Sequence, residues 1–163
     1  MRFYSFVNGL YMSPLQHGLQ TAHCIAEMSQ LKDSVFDEWA SNHKTIVILN
    51  AINVAGLLEL EKTFATMDIP YPVASFREDE ASLNGAITSV GVVLPEEIYE
   101  SARLVRQKKL KYDEYAKMFV SGIVPAKDVE EAELVSRMFS FLNDHASLDQ
   151  KALVELINNY GLA

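Results

Sequence analysis

Exported, membrane-spanning and zinc-dependent proteins draw on features that this chain lacks. It has one cysteine, Cys24, so neither an internal disulfide nor a thiolate metal cage can form, and a reducing cytosol without structural zinc is the expected setting. No stretch reaches the roughly 18 consecutive apolar residues that cross a bilayer. The opening Met1-Arg2-Phe3-Tyr4-Ser5-Phe6-Val7-Asn8 lacks the long apolar run of a signal peptide. A cytoplasmic protein with no membrane partner is expected. Positive charge is scarce too: 14 Lys and Arg against 22 Asp and Glu leave a net charge of -8, which argues against a generic nucleic-acid coat. There is no low-complexity tract and no internal repeat.

What is present suits a packed domain with an addition. The chain has 163 residues, of which 49% are hydrophobic, enough for one core plus an extension. Arg2 to Val7 alternates and is rich in Phe, Tyr and Val, a strand that stops at the Asn8-Gly9 turn. Ser13-Pro14-Leu15-Gln16 spells a helix start, with Ser13 as cap, Pro14 in the first turn and Gln16 completing a capping box. The helix should run to about Leu31. Leu15, Leu19, Ala22 and Ala26 recur at helical spacing and are expected to be buried, beside a polar stripe of Gln16, Gln20, His23 and Glu27.

Asp33 to Asn42 reads as a short second helix with Phe36 and Trp39 inward. Thr45-Ile46-Val47-Ile48-Leu49 is continuously apolar and β-branched, which predicts a central strand covered on both faces. Asn53 caps a third helix with Leu57, Leu60, Phe64 and Met67 along one edge, stopped at Asp68-Ile69-Pro70. Tyr71 to Phe76 and Ala86 to Val93 are the third and fourth strands, joined by the polar loop Arg77 to Gly85. The second and third strands should form a parallel pair through a right-handed crossover, and the short link to the fourth permits an antiparallel one. The fold class is therefore α/β with a four-stranded mixed sheet. Pro95-Glu96-Glu97 opens a further helix. Tyr112 to Val120, Asp128 to Asn143 and Leu148 to Tyr160 have helical periodicity, with Ser147 and Gln150 as a second capping box. The division expected is an α/β domain over 1–107 and a helical extension over 108–163.

The segment Met12-Ser13-Pro14-Leu15-Gln16-His17-Gly18-Leu19-Gln20-Thr21-Ala22-His23 resembles the opening motif of the second type of peptidyl-tRNA hydrolase, Met-x-x-Gly-Lys-x-Ala-x-Gln-x-x-His. Met12, Gln20 and His23 match, Gly18 replaces a small alanine, and Leu15 and Gln16 stand where that family has glycine and lysine. Trp39, the strand Thr45 to Leu49, the helix with Leu57-Leu58-Glu59-Leu60 and Ile69-Pro70 are similar to the same family's middle. Phe76-Arg77-Glu78-Asp79-Glu80-Ala81 stands in place of its Asp-x-Gly-x-Thr-Gln, so the family aspartate and first threonine are absent. Gly85-Ala86-Ile87-Thr88-Ser89-Val90-Gly91-Val92 is similar to its Gly-Thr-x-Thr-Val-x-x-Ile, with Thr88 at the second threonine. The resemblance spans roughly Arg2 to Glu100, and the variant acidic turn looks like a divergent branch that includes bacteriophage-borne copies.

The resemblance implies helices on both faces of the sheet, hydrolysis of the ester between a peptide and the tRNA 3′ end, and no metal or organic cofactor. Ester hydrolysis needs an activated water, an oxyanion donor and a hold on the substrate. Among the matched positions, His23 could serve as base or substrate contact. Glu78, Asp79 or Glu80 could orient it or act as base, and Gln20 and Thr88 could donate hydrogen bonds. Each has a plainer role open to it: a structural histidine, a solvated acidic loop, a β-branched strand residue. Six of the basic residues crowd into 103–117 (Arg103, Arg106, Lys108, Lys109, Lys111, Lys117), a candidate contact for tRNA phosphates or an exposed helix surface. The competing expectation is a catalytically silent tRNA-, nucleotide- or protein-binding module that lost the lysine and aspartate. A third is an interaction protein whose extension, through Met118, Phe119, Met138, Phe139, Phe141 and Leu142, supplies a core or the interface of a homodimer or protein partner.

Overall fold

The computed structural model describes residues 1–10, 13–108 and 148–163. The strands β1 (Arg2–Val7), β2 (Thr45–Asn50), β3 (Val73–Arg77) and β4 (Ile87–Leu94) form one mixed sheet in the order β2-β1-β4-β3. β1 and β2 are parallel, whereas β4 runs antiparallel to both β1 and β3. The expected α/β class and mixed sheet are what the chain adopts. The order differs from the expectation in two respects. β2 lies at an edge of the four-stranded sheet and is exposed over Thr45 and Ile46, so the apolar run does not mark the centre. β2 and β3 are at opposite edges and do not pair. The parallel partner of β2 is β1, while β4, buried along its whole length, takes the place between β1 and β3.

Alternation along β1 sends its side chains to two helical layers. On one side Phe3 packs with Cys24 and Met28 of α1 (Pro14–Ser29), with Phe36 of α2 (Ser34–Glu38), and with Trp39, Ala74 and Val93. On the other, Phe6 meets Phe64 of α3 (Val54–Thr66) with ring centres 6.0 Å apart. Asn53 caps α3 as expected, its side chain accepting from the Gly56 N–H at 3.0 Å. Asp33 caps α2 by accepting from Val35 and Phe36 N–H groups. The chain then passes into a π turn over Trp39–His43 that ends at Lys44 in the left-handed region, φ 57°. Phe36 and Trp39 point inward, and the indole N–H of Trp39 donates to the Thr45 carbonyl at 2.9 Å. Ser13 occupies the cap position of α1 but makes no side-chain cap bond. The anticipated capping box does not form, and the start of α1 relies on Pro14, whose fixed φ suits a first helical turn.

α1 presents the face opposite to the one expected. Leu15 and Leu19 are 81% and 52% exposed, and Ala22 and Ala26 are exposed with them. Gln20, Thr21, Cys24 and Met28 are buried instead. Two residues of helix turn through about 200°, so a core built on Cys24 excludes one built on Ala22. The reason lies in the strands beneath: α1 packs over positions occupied by Ser5, Ser89 and Gly91, which offer hydroxyls and a missing side chain rather than an apolar bed. Helix α1 answers with polar and small groups.

β3 is fixed to α3 by Glu61, which accepts from Ser75 at 2.6 Å and pairs with Arg77. The polar loop after β3 contains a single helical turn, α4 (Glu80–Leu83), closed by Asn84 and Gly85 at positive φ. The described chain divides into two compact units, Met1–Leu94 with Tyr160–Ala163, and Pro95–Asn159. In the first, Leu162 bridges to Leu49, Asn50 N–H donates to Gly161 and Ala163 N–H donates to Ile48, so the last residues run along the outer side of β2. In the second, α5 (Glu96–Lys108) and α6 (Leu148–Asn159) pack together, with Ile98, Ala102, Leu153, Val154 and Ile157 buried. The helices expected over Tyr112 to Val120 and Asp128 to Asn143, the Ser147 cap, and the apolar set from Met118 to Leu142 lie outside the described residues. Among those described, no helix is long and apolar enough to cross a membrane.

Gly91 sets how closely α1 approaches the sheet. A Cβ there would sit 2.5 Å from Phe3 Cζ and 2.8 Å from Cys24 Sγ, inside any real contact distance. Gly91→Ala is expected to lower unfolding free energy by about 1–3 kcal/mol, the usual cost of overpacking a filled core. Urea denaturation followed by Trp39 fluorescence checks this; an unchanged midpoint would contradict the close approach.

Candidate functional site

The site begins with an irregularity in β4. Phe76 is opposite Ser89 and Arg77 is opposite Ile87, so Thr88 is an extra residue in a β-bulge. Regular alternation would send Thr88 and Ser89 to opposite faces. At the bulge both hydroxyls turn to α1, the re-aiming that such irregularities provide. Thr88 donates to the side-chain oxygen of Gln20 at 2.6 Å, and Ser89 donates to its backbone carbonyl at 2.9 Å. One residue on, Thr21 donates to Ser5 of β1 at 2.9 Å.

The other end of the Gln20 amide reaches β3. Its Nε2 donates to Glu78 Oε1 at 2.9 Å. Glu78 follows β3 with its N–H bonded to the Ala86 carbonyl. Ala74, Phe76 and Glu78 share one face by alternation, and that face is the one under α1. His23, three residues beyond Gln20 on the same side of the helix, stacks on Phe76 with ring centres 4.5 Å apart and planes 13° from parallel. Gln20, Thr88, Glu78 and His23 are thus brought to one side of the sheet by α1, β3 and β4. Gln20 and Thr88 are buried, whereas Glu78 and His23 are half-buried and reach solvent.

The remaining acids do not join them. Asp79 and Glu80 are exposed at the start of α4, and Glu80 lies beside Gly85. Arg77 faces the other layer, where Glu61 holds it, so the cation next in sequence does not neutralise the turn. Glu78, Asp79 and Glu80 give this rim a negative field that repels phosphate. Of the basic residues, Arg103 and Arg106 are exposed on α5, one turn apart. Arg103 is held by Glu100 at 2.8 Å. Lys108 is the last residue of α5, and Lys109, Lys111 and Lys117 lie outside the described residues. No three acidic, histidine or cysteine side chains group as metal ligands among the described residues.

The hydroxyls of Ser5, Thr21 and Ser89 and the ring of Phe76 were not singled out from sequence. Ser5 interrupts an apolar strand and Ser89 follows Thr88 directly, so a polar break in an otherwise buried pattern was the available signal. No protein-family model and no curated protein matches this chain, which leaves the chemistry of the site to its own side chains. Those can orient a carboxylate through an amide and hold an imidazole against the Phe76 ring on the same side of the sheet.

Cys24 lies under the same helix and takes no part. Its thiol donates to the Ala74 carbonyl at 3.4 Å. Burial pushes it up to about 12, with Glu27 adding to the rise and a Ser89 hydrogen bond opposing it. Only the thiolate is reactive, so at pH 8 an aromatic disulfide reagent should label the folded protein about 10³-fold more slowly than the urea-unfolded chain. Equal rates would place the thiol in solvent.

Proposed function

We propose that this chain hydrolyses the ester joining a peptide to the 3′ end of tRNA, as a divergent relative of the second type of peptidyl-tRNA hydrolase acting in the cytoplasm. The observation that carries the reading is the Gln20 side chain, bonded at once to residues 58 and 68 positions away, Glu78 and Thr88. Two residues taken from the motif resemblance, Gln20 and Thr88, are in direct contact, and they converge on a carboxylate where the resembled family has a different acidic position. Glu78 is the base: a water loses a proton to it, the water oxygen bonds to the ester carbonyl carbon, and the bond to the ribose oxygen breaks. The proton then passes from Glu78 to the departing 3′-hydroxyl. His23, with one ring face on Phe76, offers its other face and edge to the substrate. Phosphate contacts call for basic residues, and Arg106 and the lysines that follow it in sequence are candidates.

A second reading has its own support. Gln16 stands exposed on α1 where the resembled family has lysine, and the polar side chains of Gln20 and Thr88 are buried and bonded within the fold. Both are what a binding module without turnover would keep.

A hydrolysis assay on N-acylated aminoacyl-tRNA separates the two. The hydrolase reading expects turnover that Glu78→Gln lowers by about 10² to 10⁴, with Glu80→Gln costing less and His23→Ala raising KM by about tenfold, equivalent to ~1.4 kcal/mol of binding. Tight tRNA binding with no turnover at low salt establishes the binding module in its place.

A further inference from the structure

We infer that Gln20 and Thr88 act as positioning residues that aim Glu78, and that neither touches the substrate. This rests on the hydrolase reading for its consequence, but its geometry stands apart from it. A primary amide has an acceptor end and a donor end, and which is which is set by its neighbours. The Thr88 hydroxyl, fully buried, takes the oxygen of Gln20 at 2.6 Å. That leaves the NH₂ group for Glu78 at 2.9 Å. Turned over, the amide would set its oxygen against a carboxylate oxygen, acceptor facing acceptor. As a carboxylate, which only accepts, Glu78 demands this orientation of the amide, and Thr88, whose hydroxyl can donate or accept, completes it by donating to the Gln20 oxygen.

The backbone beneath is held as firmly. Ser89 ties the Gln20 carbonyl, Thr21 ties the next residue to β1, and the Glu78 N–H is bonded to Ala86. One oxygen of Glu78 is thus pinned by the amide, and the other has no partner among the described residues. It is the atom left to receive a proton from water. The bulge at Thr88 is what allows this arrangement, because a regular strand would turn that hydroxyl away from α1.

The test compares Thr88→Val, which keeps shape and removes the hydroxyl, with Thr88→Ser, which keeps the hydroxyl. Thr88→Val should lower kcat by about 10², the scale of a misplaced catalytic group, with KM unchanged, and Thr88→Ser should restore most of it. A second readout needs no substrate: the side-chain amide resonances of Gln20 in ¹⁵N–¹H spectra. They should be slow to exchange with solvent, shift in Glu78→Gln and in Thr88→Val, and stay near their original positions in Thr88→Ser. Loss of affinity in place of turnover in Thr88→Val, or Gln20 amide signals indifferent to both substitutions, overturns the proposal. A protein that hydrolyses no ester yet shows the amide shifts retains the aimed carboxylate and loses only the hydrolase reading.

Discussion

The side-chain amide of Gln20 is buried between a helix and a sheet, in a position that would be costly to any group left unanswered. An unpaired buried polar atom costs about 1–3 kcal/mol, more than a typical hydrogen bond returns, so the amide holds its place only because Thr88 and Glu78 meet both of its ends. Together with Ser89 and Thr21, these bonds dictate which side of α1 faces inward. Once that side is chosen, Cys24 and Met28 enter the core, His23 comes to lie on Phe76, and the leucines of the helix are turned to solvent. The apolar contacts of Phe3, Trp39 and Val93 supply most of the burial, but being non-directional they do not by themselves fix the rotation of the helix.

The elements themselves were readable from pattern. β1, β4, α1 and α3 lie within a few residues of where alternation, caps and prolines put them, because those signals are local. The face of α1 was not readable. Leucines at helical spacing normally mark a core stripe, and Leu15 and Leu19 mislead because the bed beneath α1 is made by Ser5, Ser89 and Gly91, residues brought together from distant parts of the chain. The rank of β2 failed for a related reason: an apolar β-branched run suggests a strand covered on both faces, whereas β2 is exposed at Thr45 and Ile46, buries Leu49, and meets the residues after Tyr160 on its outer side in place of a strand of the main sheet.

The site was partly legible. Gln20, His23 and Thr88 were candidates through the motif resemblance, but the choice among Glu78, Asp79 and Glu80 depends on which of them continues the alternation of β3. Ala74 and Phe76 pass that register on to Glu78, whereas Asp79 and Glu80 have already turned into α4. The bulge could not be read, since it arises from a one-residue mismatch between two strands and has no signature in either alone. Without it, Thr88 would face the opposite layer.

The residues after Tyr160 carry a consequence for behaviour in a crowded solution. An outer strand with free N–H and C=O groups is a template on which a foreign strand can grow. Here Gly161, Leu162 and Ala163 lie along that flank like a selvedge, and their bonds to Ile48 and Asn50 occupy positions an intruding chain would need. Loss of these bonds would uncover the side of β2, which makes the sheet's margin, rather than its centre, the place where an intruding chain could pair.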